Sequence, residues 1–535
     1  MPSRFPRGRV LIAVFAIAAS PAAGADAPGA DRSAARAAFS EARRLFATDI
    51  KASVAGIRRA VELDPDYYEA HQYLVLYAGV AATKGLPEEE AKLAAERSRA
   101  ELQALYEGWA AAEPRRAAYV YGLGKLFMYS DPDRSRALFQ RAAEMDPRCG
   151  DAFDSLAIHA EIRGELELSR RLFRQAVDAD PEGVTFWRHH VAAQLGAGLD
   201  AALEAGHEMS RRFPDEAASI IGYLATRART ESDAVRVYEL LRARFPRAAA
   251  RSLTGLFAIL QRTDPAKALA LAEEMSALAP DVKDWPQLAA YARAVAGAEA
   301  AIRAGRAAEA LAELEGLVLP RYGADPRARE LALARVRSAL GRKEDAYAGL
   351  LAAVSAKPTD ETRAALEEAG RALGKDASAV AAELAADRAR RARPAEGFKL
   401  TDLATGRPVS LADYRGRVVL VNFWYPLCGP CRGEFPFLQA VLEKYRARGF
   451  EILAINGHDP EEHMVLPLLK GWRLGFVPLR GTAEVVKAYK VRGYPTNILV
   501  GPDGTTFYEP PPVSTLAAQR ELELQIEALL PPVGR

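Results

Sequence analysis

Along the first two thirds of the chain, small and apolar residues recur with a helical period. Pro114, Pro147, Pro181, Pro214, Pro246 and Pro280 follow one another at steps of 32 to 34 residues. Twelve positions before five of these prolines stands a small residue: Ser135, Ser169, Ala202, Ala234 or Ala268. Eight before three of them stands an aromatic: Phe139, Phe173 or Tyr238. Pro65, with Ser53, Ile57 and Ala60 behind it, and Pro358, with Ala346, Leu350 and Ala353, keep the same register. Such a period predicts stacked helical hairpins. Small residues let paired helices approach, the aromatic fills the gap between them, and proline stops the second helix.

From Gly397 the pattern changes to short apolar runs of strand length, 418–423, 451–456 and 496–500. Pro502-Asp503-Gly504 predicts a hairpin turn into a further strand over 505–508. Helices are predicted over 431–448 and 517–530, which together with the strands gives an α/β plan with a central sheet. An Ala-rich helix over 377–392 closes the array, and the arginine-rich 388–394 stretch reads as a solvated helix end running into a linker. The segments "RSRALFQRAAEMDP" and "EIRGELELSRRLFRQAVDADP" show the repeat most clearly and resemble the tetratricopeptide repeat. That resemblance implies a surface for a protein or peptide partner, with a spacer as the alternative. The expected organisation is multidomain: a leader over 1–25, an all-α solenoid over 32–390, a linker over 391–396 and an α/β domain of thioredoxin type over 397–535.

The beginning of the chain has the form of an export signal. Arg4, Arg7 and Arg9 precede the apolar run 10–19, and Ala23-Gly24-Ala25 offers a small-x-small cleavage site. An apolar run of about 10 residues falls short of the roughly 20 that a membrane span needs. The protein is therefore expected to be exported, periplasmic or otherwise extracytoplasmic. With no cysteine near the cleavage point, no lipid anchor is expected. Seventy-two basic and 70 acidic side chains leave a net charge of +2, which gives no electrostatic case for nucleic acid.

Three cysteines in 535 residues make no disulfide framework. Cys149 has no second cysteine nearby in sequence and reads as a buried, idle thiol. Cys428 and Cys431 form Cys-Gly-Pro-Cys between a predicted strand and a predicted helix. Unpaired N–H groups and the helix dipole at that point favour an anion, which lowers a thiol toward the range where exchange is fastest. Pro430 suits a helix start, where its missing N–H costs nothing. The competing chemistry is half a zinc site, for which His458 and His463 are the candidates in this domain. They lie far downstream with a strand between, so no metal and no cofactor is expected.

The run from Val421 to Pro436, "VNFWYPLCGPCRGEFP", resembles the core of the TlpA/ResA-like thioredoxin-fold oxidoreductases, within the redoxin or AhpC/TSA-like superfamily. Trp424, Cys428, Gly429, Pro430, Cys431, Arg432, Glu434 and Pro436 carry the match. Residues 398–416 look like that group's N-terminal extension, and 458–479 has the length of its helix-containing insertion. Gly493-Tyr494-Pro495-Thr496 matches the loop that holds a cis-proline against the cysteines. The resemblance implies a Cys428–Cys431 redox disulfide, catalytic roles for both cysteines and for Glu434, and substrate-side support from Trp424, Gly429, Pro430, Tyr494 and Pro495. It implies a protein disulfide as substrate and a membrane thiol transporter as electron donor. Two departures stand out. Asn422 occupies the strand position where cytoplasmic thioredoxins carry a buried aspartate, and Leu427 stands where the family usually has Trp. The rival functions are a thiol peroxidase of peroxiredoxin type, disfavoured because Tyr425 stands where its threonine would be, and a repeat scaffold with a redox-idle module.

Overall fold

The structure, a computed structural model, describes residues 31–128, 130–228, 230–320, 323–457, 462–508, 510, 512–513 and 515–531. The export signal at 1–25 and His458 lie outside the described residues.

Helices fill the chain from α1 (Arg32–Leu45) to α20 (Ala377–Arg391), and within each compact unit most consecutive helices pack on one another. The proline period marks their ends as expected in most hairpins. Pro147 follows α6 (Pro132–Met145), Pro181 follows α8 (Leu166–Ala179) and Pro246 follows α12 (Glu231–Arg244). Pro214 is different: it opens α11 (Pro214–Thr226) as a first-turn residue, where its missing N–H has no partner to lose. The small residues of the period sit at the closest helix approaches. Ser135 is fully buried and its hydroxyl donates to the Gly124 carbonyl of α5 (Ala117–Phe127) at 2.7 Å. Ser53 makes the same bond to the Ala42 carbonyl at 2.7 Å. The aromatics fill the adjoining gaps. Phe139 lies so close to Gly124 that a Cβ there would come within 2.5 Å of its ring, so glycine is what lets the ring seat. Cys149 is buried and free.

The chain packs as two compact units, and their division falls inside the array. Residues 31–212 with 470–472 form one; 213–469 with 473–531 form the other. The composition break near 391–396 is therefore not where packing separates. In the second unit α17 (Pro326–Ala339) and α19 (Asp360–Ala372) are tied by ion pairs to the last helix, α24 (Leu516–Leu529). Arg327 reaches Glu521 at 2.8 Å, and Arg520 clamps Asp360 with two bonds of 2.8 and 2.7 Å.

The sheet has six strands in the order β1-β8-β7-β4-β5-β6. Their ranges are β1 Arg393–Pro394, β4 Val418–Trp424, β5 Phe450–Asn456, β6 Val477–Arg480, β7 Thr496–Val500 and β8 Thr505–Tyr508. Strands β4, β5 and β6 run parallel; β7, β8 and β1 are antiparallel to their neighbours. A hairpin of β2 (Lys399–Thr401) and β3 (Pro408–Ser410) occupies the opening extension. Every residue of β4 and β5 is buried, as continuous apolar runs in a covered sheet require. Val419, Val421 and Phe423 pack with Leu453, Ile455 and Leu400 on one face. The alternate residues Leu420, Asn422 and Trp424 point the other way, toward α21 (Gly429–Tyr445), as the contact between Trp424 and Phe435 shows. The expected insertion holds α22 (Glu462–Gly471) and leads into β6.

Three expectations are corrected. The stretch read as a linker is partly sheet: Arg393 and Pro394 pair with Thr506 and Thr505, because the open edge of β8 accepts an extended segment. The arginine run before it is only partly solvated, since Arg388 donates to the Ala528 carbonyl at 3.2 Å. The helix expected over 431–448 begins at Gly429 and ends at Tyr445, followed by a short 3-10 turn over Arg446–Arg448.

Candidate active site

Strand β4 ends at Trp424 and α21 begins at Gly429, so the four residues between them turn the chain at the sheet's carboxyl edge. Cys428 is the N-cap of α21, and its sulfur accepts the Cys431 N–H at 3.1 Å. Pro430 lies in the first turn. Cys428 and Cys431 are joined as a disulfide, with Cα atoms 5.2 Å apart. Cys428 is 3% exposed and Cys431 fully buried, while Gly429 and Pro430 between them face solvent. Cys428 is thus the sulfur nearer to solvent, at the end of the helix where backbone N–H groups favour negative charge. The Arg432 guanidinium donates to the Pro426 carbonyl at 2.8 Å and braces the turn ahead of Cys428.

A buried polar chain joins β4, β7 and α21. Asn422 on β4 and Asn497 on β7 stand directly opposite in the antiparallel register. Asn422 Nδ2 donates to Asn497 Oδ1 at 2.8 Å, and Asn497 Nδ2 donates to Glu434 Oε2 at 3.2 Å. Glu434 is 1% exposed, so it is no solvated first-turn carboxylate. Burial pushes its pKa up to about 7, against opposing pulls from the Asn497 amide, the Val513 peptide group and the Arg227 charge. A carboxyl group titrating near neutrality can take up or release a proton in the working range of a thiol.

Tyr494–Pro495 is a cis peptide, as expected. The Tyr494 hydroxyl donates to the Gly457 carbonyl at 3.0 Å, and its ring meets Tyr425 edge-on with centroids 5.3 Å apart. That contact ties the cis-proline loop to the segment before Cys428. Trp424 is fully buried and edge-on to Phe435 at 5.0 Å, part of the support under α21. His463 is exposed, and among the described residues no cluster of three or more His, Cys, Asp or Glu could hold a metal ion.

Two neighbours of the centre are absent from the sequence reading. Asn497 left one faint signal, a polar residue at an inward position of an apolar strand. Arg227, at the C-terminal end of α11, lies with its guanidinium against Gly433. Nothing local in sequence marks it.

The AhpC/TSA family model matches residues 392–508. The thiol-disulfide oxidoreductase ResA of Bacillus thuringiensis subsp. konkukian is 34% identical over 118 residues, 22% of this chain and 67% of that protein. ResA of Bacillus subtilis is 33% identical over 111 residues, 21% of this chain and 61% of that one. Among solved structures, a secreted Mycobacterium tuberculosis disulfide oxidoreductase is 25% identical and matches 25% of this chain and 96% of its own, with a TM-score of 0.22. A thiol:disulfide interchange protein from a Bacteroides species is also 25% identical, over 26% of this chain and 89% of its own, with a TM-score of 0.22. With 34% identity over 118 residues that span two thirds of a ResA chain, and its cysteine pair bonded at the head of α21, this chain belongs to the ResA-like thiol–disulfide oxidoreductases through its C-terminal, thioredoxin-fold domain.

Proposed function

We propose that the protein is an exported disulfide reductase whose reacting groups are Cys428 and Cys431. In the reduced enzyme the Cys428 thiolate attacks one sulfur of a protein disulfide; a new S–S bond forms and the substrate's second sulfur leaves as a thiolate, which takes a proton. Cys431, deprotonated, attacks Cys428 in turn and releases the second substrate thiol. Two electrons pass to the substrate, and the enzyme ends as the Cys428–Cys431 disulfide. A membrane thiol donor then restores the dithiol.

The observation that carries this reading is a disulfide at a helix N-terminus, with a buried carboxyl group, Glu434, three residues further along the same helix. Glu434 is assigned the proton traffic: it holds the proton that Cys431 must lose, and the Asn422–Asn497 chain fixes its orientation. Gly429 and Pro430 are exposed between the two cysteines, within reach of an incoming disulfide, and the half-buried Tyr494 before cis-Pro495 is the backbone that β-augmentation would use. The helical array is assigned a protein or peptide partner, which would bring that partner's disulfide to the same chain. Export is supported by the signal-like form of residues 1–25.

Reduction of insulin disulfides by the full-length chain, with dithiothreitol as electron source, tests this. Turnover that disappears in both Cys428→Ser and Cys431→Ser supports the reductase. Peroxide consumption without disulfide reduction would replace it with the peroxidase.

A further inference from the structure

Gly433 stands in the first turns of α21, between Cys431 and Glu434 in the chain. A Cβ built there would lie 2.5 to 2.6 Å from three atoms of the Arg227 guanidinium. The arginine therefore occupies the space a side chain at 433 would need. It comes from the helical array, at the cap of α11, and its stem passes Tyr223, whose ring centroid is 5.1 Å from the guanidinium carbon. Its Nε and Nη1 are buried without a hydrogen-bond partner. Burying two guanidinium donors unpaired is costly, so the position is held by packing and by charge. On the other side, Glu434 Oε1 is buried and makes no hydrogen bond.

We propose that Arg227 is a positioning residue for the redox centre, a cation from the helical array that seats on Gly433 and fixes the first turn of α21, next to Glu434. This rests on the redox reading above and deepens it, because it makes the array part of the thiol chemistry. Of the groups that act on Glu434, Arg227 is the charged one; the Asn497 amide and the Val513 peptide group are neutral. On its own helix the neighbours are the Cys428–Cys431 pair and Arg432, whose guanidinium is engaged by the Pro426 carbonyl. A partner that shifted α11 would lift the cation from Gly433 and change the proton affinity of Glu434 with no contact to either sulfur.

The test is the pH profile of Cys428 alkylation by iodoacetamide in the reduced, full-length chain. Arg227→Gln is expected to move the Glu434-linked step upward by about 0.5 to 1 pH unit, since an opposite charge at close range favours the carboxylate. Gly433→Ala, which puts a methyl group where the guanidinium lies, should reproduce that shift with Arg227 intact. Arg227→Lys keeps the charge and should recover most of the wild-type profile, and it also serves if the Gln variant does not fold. In a Glu434→Gln background, Arg227→Gln should add no shift. Wild-type profiles in both Arg227→Gln and Gly433→Ala, or an equal shift with and without Glu434, overturn the proposal. Alkylation needs no substrate, so the two readings fail separately. A chain that reduces no disulfide yet shows the shift loses only the reductase; one that reduces disulfides with an unmoved profile loses only the role of Arg227.

Discussion

Asn497 hands its amide N–H to Glu434 at 3.2 Å while its carbonyl takes one from Asn422 at 2.8 Å, so a single side chain orients the buried carboxyl group of the helix that carries the cysteines. Strand register makes this possible. Asn422 and Asn497 are direct cross-strand partners, and alternation along β4 turns Asn422 toward the face that Trp424 shares with α21. The strand position at 422 thus carries a neutral amide, and the carboxyl group in this hydrogen-bonded chain comes from the helix.

Asn497→Ala should remove the donor that holds the carboxylate. Glu434 would then be harder to ionise, and the acid limb of the rate profile should move to higher pH. The buried Asn422 amide also loses its acceptor, so thermal unfolding should report a loss of about 1–3 kcal/mol.

Glu434→Gln should slow thiol exchange at neutral pH, measured by stopped-flow reaction of the reduced chain with a small disulfide. Its effect on stability has a definite sign. The folded pKa of about 7 lies above the ordinary 4.5, so the native state binds more protons than the unfolded chain between those values. Stability therefore falls as pH rises through that window, and the penalty is complete above about pH 7. A shift of that size corresponds to at most about 3 kcal/mol. Urea unfolding of the oxidised protein should show the Gln variant gaining on wild type from pH 5 to pH 8; a constant difference would contradict the assigned shift.

Arg327→Ala should destabilise the second unit. The guanidinium lies between Asp325 at 2.7 Å and Glu521 at 2.8 Å, and both carboxylates have little access to water. Leaving two buried carboxylates without their cation costs about 3–5 kcal/mol. Chemical denaturation should locate the loss, and Arg327→Met should recover less than half of it.

Gly124→Ala tests the rule behind the helical period. The added methyl group meets the Phe139 ring at 2.5 Å, which forces the α5–α6 pair apart. Overpacking of this kind costs about 1–3 kcal/mol. Phe139→Leu in the same chain should restore much of it, as read by melting temperature.

Much of this was legible in the chain because local chemistry carried it. The proline period marked helix ends, since proline cannot continue a helix, and it failed only at Pro214, where a first-turn position is as acceptable as a stop. The strand runs matched the observed strands to within a residue, because continuous apolar stretches suit a sheet covered on both faces. The linker was misread because the pairing of Arg393 and Pro394 depends on the edge of β8, more than 100 residues away. Arg227 was invisible for the same reason: its meaning comes from Gly433, and neither residue alone signals the other. Compact packing also ignored the composition break, grouping half of the array with the sheet domain.

The most direct measurement is the pKa of the Cys428 thiol in the reduced, full-length chain, followed by thiolate absorbance with the Cys428→Ser variant as reference. A midpoint about one unit or more below the 8.5 of a free thiol is the predicted result. A Cys428 that titrates at or above 8.5, in a protein that cannot exchange its disulfide with insulin, would contradict the assignment.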